Sequence, residues 1–249
     1  MSGNNGYILV DKPKGWTSFD VVAKTRGLVR AANRQATAAV GLAAGGQQLP
    51  KRVKVGHTGT LDPQATGLLV ILIGNYTKRA TELTKLDKTY EVTMKLGQIS
   101  TTADEEGDKT VVSTTVPEEK AVLEALQSLQ GHIMQTPPIY SAIKINGQRA
   151  YDLARKGQQV KLDARPVHIY SNTLTSYAYP IVKFTSEVSS GTYIRSLVED
   201  AGKLLGTGAY MADLRRTRVG RFRLEDAVTV KALQTADLNV RELPDDMVA

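Results

Sequence analysis

The sequence predicts an α+β fold with a mixed, largely antiparallel sheet, and three observations lead there. Stretches with the two-residue period of half-buried strands recur along the chain, helices with recognisable ends fall between them, and several successive strands are too close for a crossover helix. At 249 residues, 41% hydrophobic and 23% charged, the chain is long enough for one large core. No internal repeat and no Pro-rich or Ser-rich linker divides it. One domain is expected over residues 1–232, with 233–249 as a short C-terminal tail.

Taken in order, "YILVDKPKGWTSFDVVAKTRGLV" opens with a short apolar strand, turns at Pro13 and Gly15, and enters a helix. Thr17 and Asp20 have the spacing of a capping box, and Phe19, Val22, Ala23 and Leu28 fall near one face. Residues 31–51, rich in Ala, Gly and Gln, bury little and are expected to form a flexible insertion or a frayed helical extension. "LLVILIG" is a continuous apolar run, as in a strand buried on both faces. "YEVTMKLG" alternates, with Tyr90, Val92, Met94 and Leu96 on one face. After the acidic turn "TTADEEGD", the stretch "PEEKAVLEALQSLQG" reads as a helix opened by proline and followed by Gly131. "PPIYSAIKINGQRAYDLARKG" supplies an extended entry, a hairpin-like "NG" and a short helix stopped by Gly157. "RPVHIYSNTLTSYA" and "IVKFTSEVSS" alternate as strands, and "SLVEDAGKLLG" is a helix with Ser196 and Glu199 spaced as a second capping box.

The charge balance narrows the partners. Lys and Arg outnumber Asp and Glu by 32 to 25, a net charge of +7, which favours a polyanionic partner such as nucleic acid or an anionic membrane. The longest aliphatic run, Leu68–Ile73, falls far short of the roughly 20 residues of a spanning helix. The start "MSGNNGYILVDKPKGWTS" lacks the pattern of a signal peptide, so a cytoplasmic location is expected. The chain has no cysteine, and His57, His132 and His168 are too scattered to suggest a metal site. Neither a P-loop nor a dinucleotide fingerprint is present, so no cofactor is expected.

One carboxylate stands out. In "GHTGTLDPQATGLLVILIG" the nearest acids to Asp62 are Asp20 and Glu82, while Lys24, Arg26, Arg30, Arg34, Lys51, Arg52, Lys54, Lys78 and Arg79 lie between those two. Pro63 holds Asp62 away from helical angles, Gly56 and Gly59 allow close approach of backbone or ligand, and Thr58 and Thr60 can bond the local main chain. An Asx-turn at the mouth of a strand is one reading. An ionised nucleophile or base facing a phosphate-rich ligand is the other.

"GHTGTLDPQATGLL" resembles the catalytic motif of the TruB family of tRNA pseudouridine synthases, and the resemblance extends to ordered segments from about Tyr7 to Phe222. "ILVDKPKGWTS" is similar to that family's N-terminal motif, "KTYEVTMKLGQISTTADEEGD" to its tyrosine motif, and "PPIYSAIKINGQRAYDLARKG" to its RNA-contacting segment. "GTYIRSLVEDAGKLLGTGAYMADLRRTRVGRF" is similar to its arginine motif. The resemblance implies a pseudouridine synthase fold with an active-site cleft across the sheet, isomerisation of uridine-55 in the tRNA T-loop, and Asp62 as nucleophile on a flipped-out base. It implies that Arg195 pairs with Asp62, that Tyr90 stacks on the base, and that Tyr193 and Leu214 line its pocket. His57 is then an RNA-loop contact. Lys144, Arg149, Arg155, Arg215 and Arg216, with Arg218 and Arg221, become candidate phosphate tracks, and Lys12 and Pro13 support the catalytic loop.

The implied partner is the T-stem loop of tRNA, engaged by a monomer without guide RNA, membrane or cofactor. A guide-RNA-dependent relative and a non-catalytic RNA-binding or RNA-folding module are the alternatives. The chain departs from the family pattern at Val188 and Tyr210, where cysteine and histidine are expected, and no complete C-terminal PUA domain follows the last motif.

Overall fold

The computed structural model describes residues 5–41, 53–139, 144–145, 148–149, 162–234, 238 and 240–242. The chain divides into two compact units, residues 1–86 with 216–249, and residues 87–215. The second is therefore inserted in the sequence of the first.

In the first unit β1 (Gly6–Lys12) pairs antiparallel with β3 (Thr66–Ile73), in a register running from Gly6↔Ile73 to Lys12↔Gly67. The short strand β2 (Val55–His57) also pairs with β3. Alternation along the strands sends Ile8, Val10, Leu69, Ile71 and Ile73 to one face, where Val21, Val22 and Val29 of helix α1 (Ser18–Gly41) cover them. Tyr7, Leu9, Leu68, Val70 and Leu72 go to the other face, against Leu83, Val219 and Phe222. Both faces of β3 are covered, which is the physical reason for its unbroken apolar run.

Helix α1 begins with the predicted capping box. The Thr17 N–H donates to Asp20 Oδ2 at 2.8 Å and the Asp20 N–H to Thr17 Oγ1 at 3.0 Å, satisfying two donors that a helix start leaves unpaired. The helix runs on through Gly41, so the first part of the Ala- and Gly-rich stretch is a helical extension. Helix α2 (Ala80–Thr84) supplies Leu83.

The second unit is built on β4 (Lys88–Leu96), whose burial alternates strictly as the sequence predicts. After it come β5 (Gln98–Ser100), β6 (Lys109–Val111), α3 (Glu119–Ser128) and β7 (Gly131–Gln135). The short β8 (Lys144–Ile145) and β9 (Gln148–Arg149) pair antiparallel with each other. The long β10 (Arg165–Ala178) and β11 (Ile181–Val188) follow, and the order β4-β11-β10-β7 is antiparallel throughout. Helix α4 (Ile194–Leu204) and β12 (Ala209–Val219) complete the unit, and the last residues of β12 belong to the first unit, where they pair with β13 (Phe222–Arg223). Finally β14 (Val228–Thr229) runs parallel to β1. The α+β class and the mainly antiparallel sheet are those the sequence predicts.

One local expectation changes. Helix α4 begins at Ile194 with Tyr193 as its N-cap, so Ser196 lies inside the first turn and its hydroxyl donates to Thr136 O at 2.8 Å instead of capping the helix. "LRRTRVGR", read as a basic track, is mostly strand β12. The helix expected to stop at Gly157 lies outside the described residues.

Candidate active site

The Asp62 loop joins β2 to β3, and almost every bond that shapes it comes from a group distant in sequence. The Ser18 hydroxyl, at the start of α1, donates to Leu61 O at 3.0 Å and accepts from the Leu61 N–H at 2.8 Å. Pro63 O accepts from the Gly15 N–H at 2.8 Å and from Lys12 Nζ at 3.3 Å. The Thr58 N–H donates to Val70 O at 3.0 Å, and the Ala65 N–H closes the turn on Asp62 O at 3.1 Å. From β12, Arg216 donates to Leu68 O at 2.8 Å, Gly59 O at 3.1 Å and Thr60 O at 3.5 Å. A loop satisfied in this way is organised before any substrate arrives, while Asp62 itself stays half-exposed between the buried Leu61 and Ala65.

The close backbone approach sits at Gly67. A Cβ there would lie 2.3 Å from Arg216 O, and the residue adopts φ +101°, so only glycine lets β12 press against the start of β3. At Gly56 a Cβ would meet nothing nearer than 3.9 Å, so that glycine is not required by packing. The Thr58 hydroxyl is buried without a partner among the described residues.

Among the described residues, two buried cations bond this loop, Lys12 and Arg216, and both lie outside the basic run that flanks Asp62 in sequence. Lys12 is fully buried, and its ammonium also donates to Pro13 O at 3.1 Å and Trp16 O at 2.6 Å. Burial lowers its pKa to about 8, Asp62 and Asp20 oppose that shift, and Arg216 reinforces it. Arg216 is only 1% exposed. His57 is held below its ordinary pKa by burial and by Arg216, so it is neutral at pH 7, and its buried Nδ1 has no partner among the described residues.

In the second unit, Arg195 opens α4 and is buried with Asp104, to which it forms an ion pair at 3.3 Å. It also donates to Thr102 O at 3.3 Å. Asp104 accepts from Thr102 Oγ1 at 2.5 Å and from the Glu106 N–H at 3.1 Å. The turn that delivers it places Ala103 at φ 62°, a left-handed conformation that a non-glycine residue adopts at a cost. Gln135 fixes the entry to α4, accepting from the Tyr193 N–H at 2.8 Å and donating to Tyr193 O at 3.1 Å. Tyr90 and Leu214 are buried, on β4 and β12.

The sequence matches two adjoining family models that together cover residues 47–248. "TruB family pseudouridylate synthase (N terminal domain)" covers residues 47–194, and "tRNA pseudouridylate synthase B C-terminal domain" covers 195–248. The chain belongs to the TruB family. It is 42% identical to the tRNA pseudouridine synthase B of Chlorobaculum tepidum, over 94% of this chain and 91% of that one. To the protein of the same name from Clostridium acetobutylicum it is 39% identical, over 98% of this chain and 75% of that one. Among solved structures it is similar to a chain in the crystal structure of a Cbf5-Nop10-Gar1 complex, with a TM-score of 0.64 and 31% identity over 93% of this chain and 54% of that one. A chain in an H/ACA RNP bound to a substrate RNA containing 2'-deoxyuridine gives a TM-score of 0.61 and 28% identity, covering 92% and 52%. The TruB chain thus spans about half the length of those two solved chains.

For the remaining TruB-like residues the outcomes differ. Arg216 is corrected from a phosphate contact to a buried brace, because its guanidinium is spent on main-chain carbonyls and has almost no surface. Arg215 and Tyr193 are half-exposed, and Pro13 is exposed beside the Gly15 turn. Lys144 and Arg149 lie on the β8–β9 hairpin, and Arg155 lies outside the described residues. Sequence reasoning missed Ser18, Asp104 and Gln135. Asp104 was hidden among Glu105, Glu106 and Asp108, and Ser18 beside the more conspicuous cap at Thr17. Among the described residues, no group of His, Cys, Asp and Glu could hold a metal ion, and no helix is long and apolar enough to cross a membrane.

Proposed function

We propose that the protein isomerises uridine-55 in the T-loop of tRNA to pseudouridine, with Asp62 as nucleophile. The observation that carries this is the Asp62 loop. The loop that carries this half-exposed carboxylate is held through its main chain by bonds from α1, β1 and β12, with a buried ammonium close enough to feel the carboxylate's charge.

The reaction breaks the bond from ribose C1′ to uracil N1, turns the base, joins C5 to C1′, and moves a proton from C5 while N1 gains one. Atoms and electrons balance without any redox partner. A carboxylate can attack uracil C6, or attack C1′ with a glycal or acylal-type intermediate, and both routes need it ionised. Arg195 is the cation assigned to Asp62. A guanidinium has five donors, so one side chain can serve both Asp104 and a second carboxylate. Tyr90 stacks on the extruded base, Tyr193 and Leu214 wall its pocket, and the neutral His57 contacts the RNA loop. Extrusion costs a few kcal/mol, recovered through these contacts.

The enzyme is read as a monomer acting on tRNA in the cytoplasm without guide RNA. The relatives named for tRNA share more identity with this chain, over more of their own length, than the solved chain from the Cbf5-Nop10-Gar1 complex. Incubation of the pure protein with an unmodified tRNA transcript, followed by mass-spectrometric mapping, should reveal pseudouridine at one T-loop position. Asp62→Asn should keep RNA binding and lose turnover. Product in the absence of the carboxylate, or only when a guide RNA is added, overturns the assignment.

A further inference from the structure

The exposed face of α1 is unused by anything described so far. Phe19, Ala23, Gly27, Arg30 and Arg34 are exposed along it with the half-buried Arg26 beside them, so Phe19 and Ala23 leave the core to Val22, Thr25 and Val29 on the adjoining and far sides of the helix. Arginines at four-residue steps stand about 6 Å apart along the axis, and Phe19 lies about 10 Å beyond Arg26. Helices that merely face water carry both signs of charge. The one acid on α1 is Asp20, engaged by Thr17 in the capping box, against Lys24 and three arginines.

Phe19 is 64% exposed, an unusual setting for a large apolar ring. The Arg26 guanidinium sits 6.0 Å from its centroid and is anchored by a 3.3 Å bond to Val55 O, so ring and charge are held together. Ala23 and Gly27 leave a low floor between them, and a Cβ on Gly27 would meet nothing within 4 Å.

We propose that this face is an RNA-backbone track, in which Arg26, Arg30 and Arg34 meet successive phosphates and Phe19 offers its ring to an unstacked base. A bilayer is the poorer partner, because the apolar stripe of α1 is consumed by the core and, among the described residues of the helix, Phe19 is the one large exposed apolar side chain. The track also has a direction. Ser18, one residue before Phe19, is the residue bonded to Leu61, so the stripe begins beside the Asp62 loop and leads away from it by about 20 Å. Single-stranded nucleic acid is gripped in this way, by a row of cations with an aromatic platform. The proposal rests on tRNA being the substrate.

Its test is the salt dependence of binding. Dissociation constants for an unmodified tRNA transcript are measured from 0.05 to 0.3 M KCl with wild type, an Arg30→Gln/Arg34→Gln double variant, Phe19→Ala, and Lys120→Gln as a control on the exposed face of α3. Circular dichroism and melting monitor the fold, and pseudouridine formation by wild type is assayed alongside. Loss of two phosphate contacts should make the slope of log K against log salt shallower by about 1.4 to 1.8 and weaken binding about tenfold. Phe19→Ala should weaken binding about tenfold without altering the slope, and Lys120→Gln should match wild type. Wild-type slope and affinity in the double variant overturn the track while leaving the catalytic assignment standing. Tight tRNA binding without any pseudouridine overturns the catalytic assignment, and the slopes then judge the track by themselves. Loss of binding to phosphatidylserine vesicles with unchanged tRNA binding overturns it in favour of a membrane surface.

Discussion

Arg216 offers the sharpest test of how the loop carrying the proposed nucleophile Asp62 is held. Replacing it by methionine keeps most of the volume and removes the donors to Leu68 O at 2.8 Å and Gly59 O at 3.1 Å, with the weaker contact to Thr60 O at 3.5 Å. The Leu68 carbonyl is buried and leaving it without its partner costs about 1–3 kcal/mol, while the part-buried bond to Gly59 O adds about 0.5–1.5 kcal/mol. That is comparable with a large share of a domain's total stability of about 5–15 kcal/mol. Part of the loss should appear as a lower melting temperature, and part as disorder of the loop that carries Asp62. Displacing a nucleophile by about 1 Å costs on the order of a hundredfold in rate. The expected result is therefore a fall of about a hundredfold in kcat at saturating tRNA, with KM and the salt slope of binding little altered. Arg216→Lys should recover little, because one ammonium cannot reach carbonyls set apart for a planar fork. A phosphate-binding arginine would give the opposite split, with KM raised and the salt slope reduced, and that outcome would refute the brace. A stable Arg216→Met protein with an unchanged rate would refute it as well.

Lys12 should impose an alkaline limb on activity. Its folded-state pKa of about 8 lies below the ordinary 10.5, so above pH 8 the ammonium that bonds Pro63 O loses its charge, and kcat/KM should fall with a midpoint near 8. Stability should move the other way. The unfolded chain binds the extra proton between pH 8 and 10.5, so this residue's contribution rises across that window, and a melting temperature falling in step with activity would contradict the assignment. Lys12→Met should remove the limb. Arg195→Lys should lower the rate by about 10- to 100-fold, the equivalent of one charge-assisted bond, and Asp104→Asn should lower it too by freeing the Arg195 guanidinium; near-wild-type rates for both would count against a positioned arginine.

Strand and helix periods, the capping box at Thr17 and Asp20, the burial of β3 on both faces and the alternation of β4 are local properties, and all could be read before any coordinates. Asp62 was legible for a related reason. Its chemistry is announced by neighbours in sequence, and the family motif extends that announcement.

What surrounds the carboxylate could not be read in that way. Among the described residues, the buried cations that bond its loop, Lys12 and Arg216, lie outside the basic run beside it in sequence. Lys12 and Arg216 reach it because β1 and β12 flank β3 in the first unit's sheet, at sequence separations of 51 residues for the bond from Lys12 to Pro63 and 157 for that from Arg216 to Gly59. A run of arginines in "LRRTRVGR" looks alike whether each side chain faces water or the core, and the two-residue period of a strand sends Arg216 inward. Similarly, Asp104 became distinct from the acids around it only when the turn at Ala103 delivered it to Arg195. The amino-acid sequence by itself determined the elements and singled out Asp62 as the candidate reactive group, because periodicity and motif act over a few residues. Tertiary structure decided which charges hold that group, because an ion pair or a buried hydrogen bond depends on distance in space, and folding sets that distance.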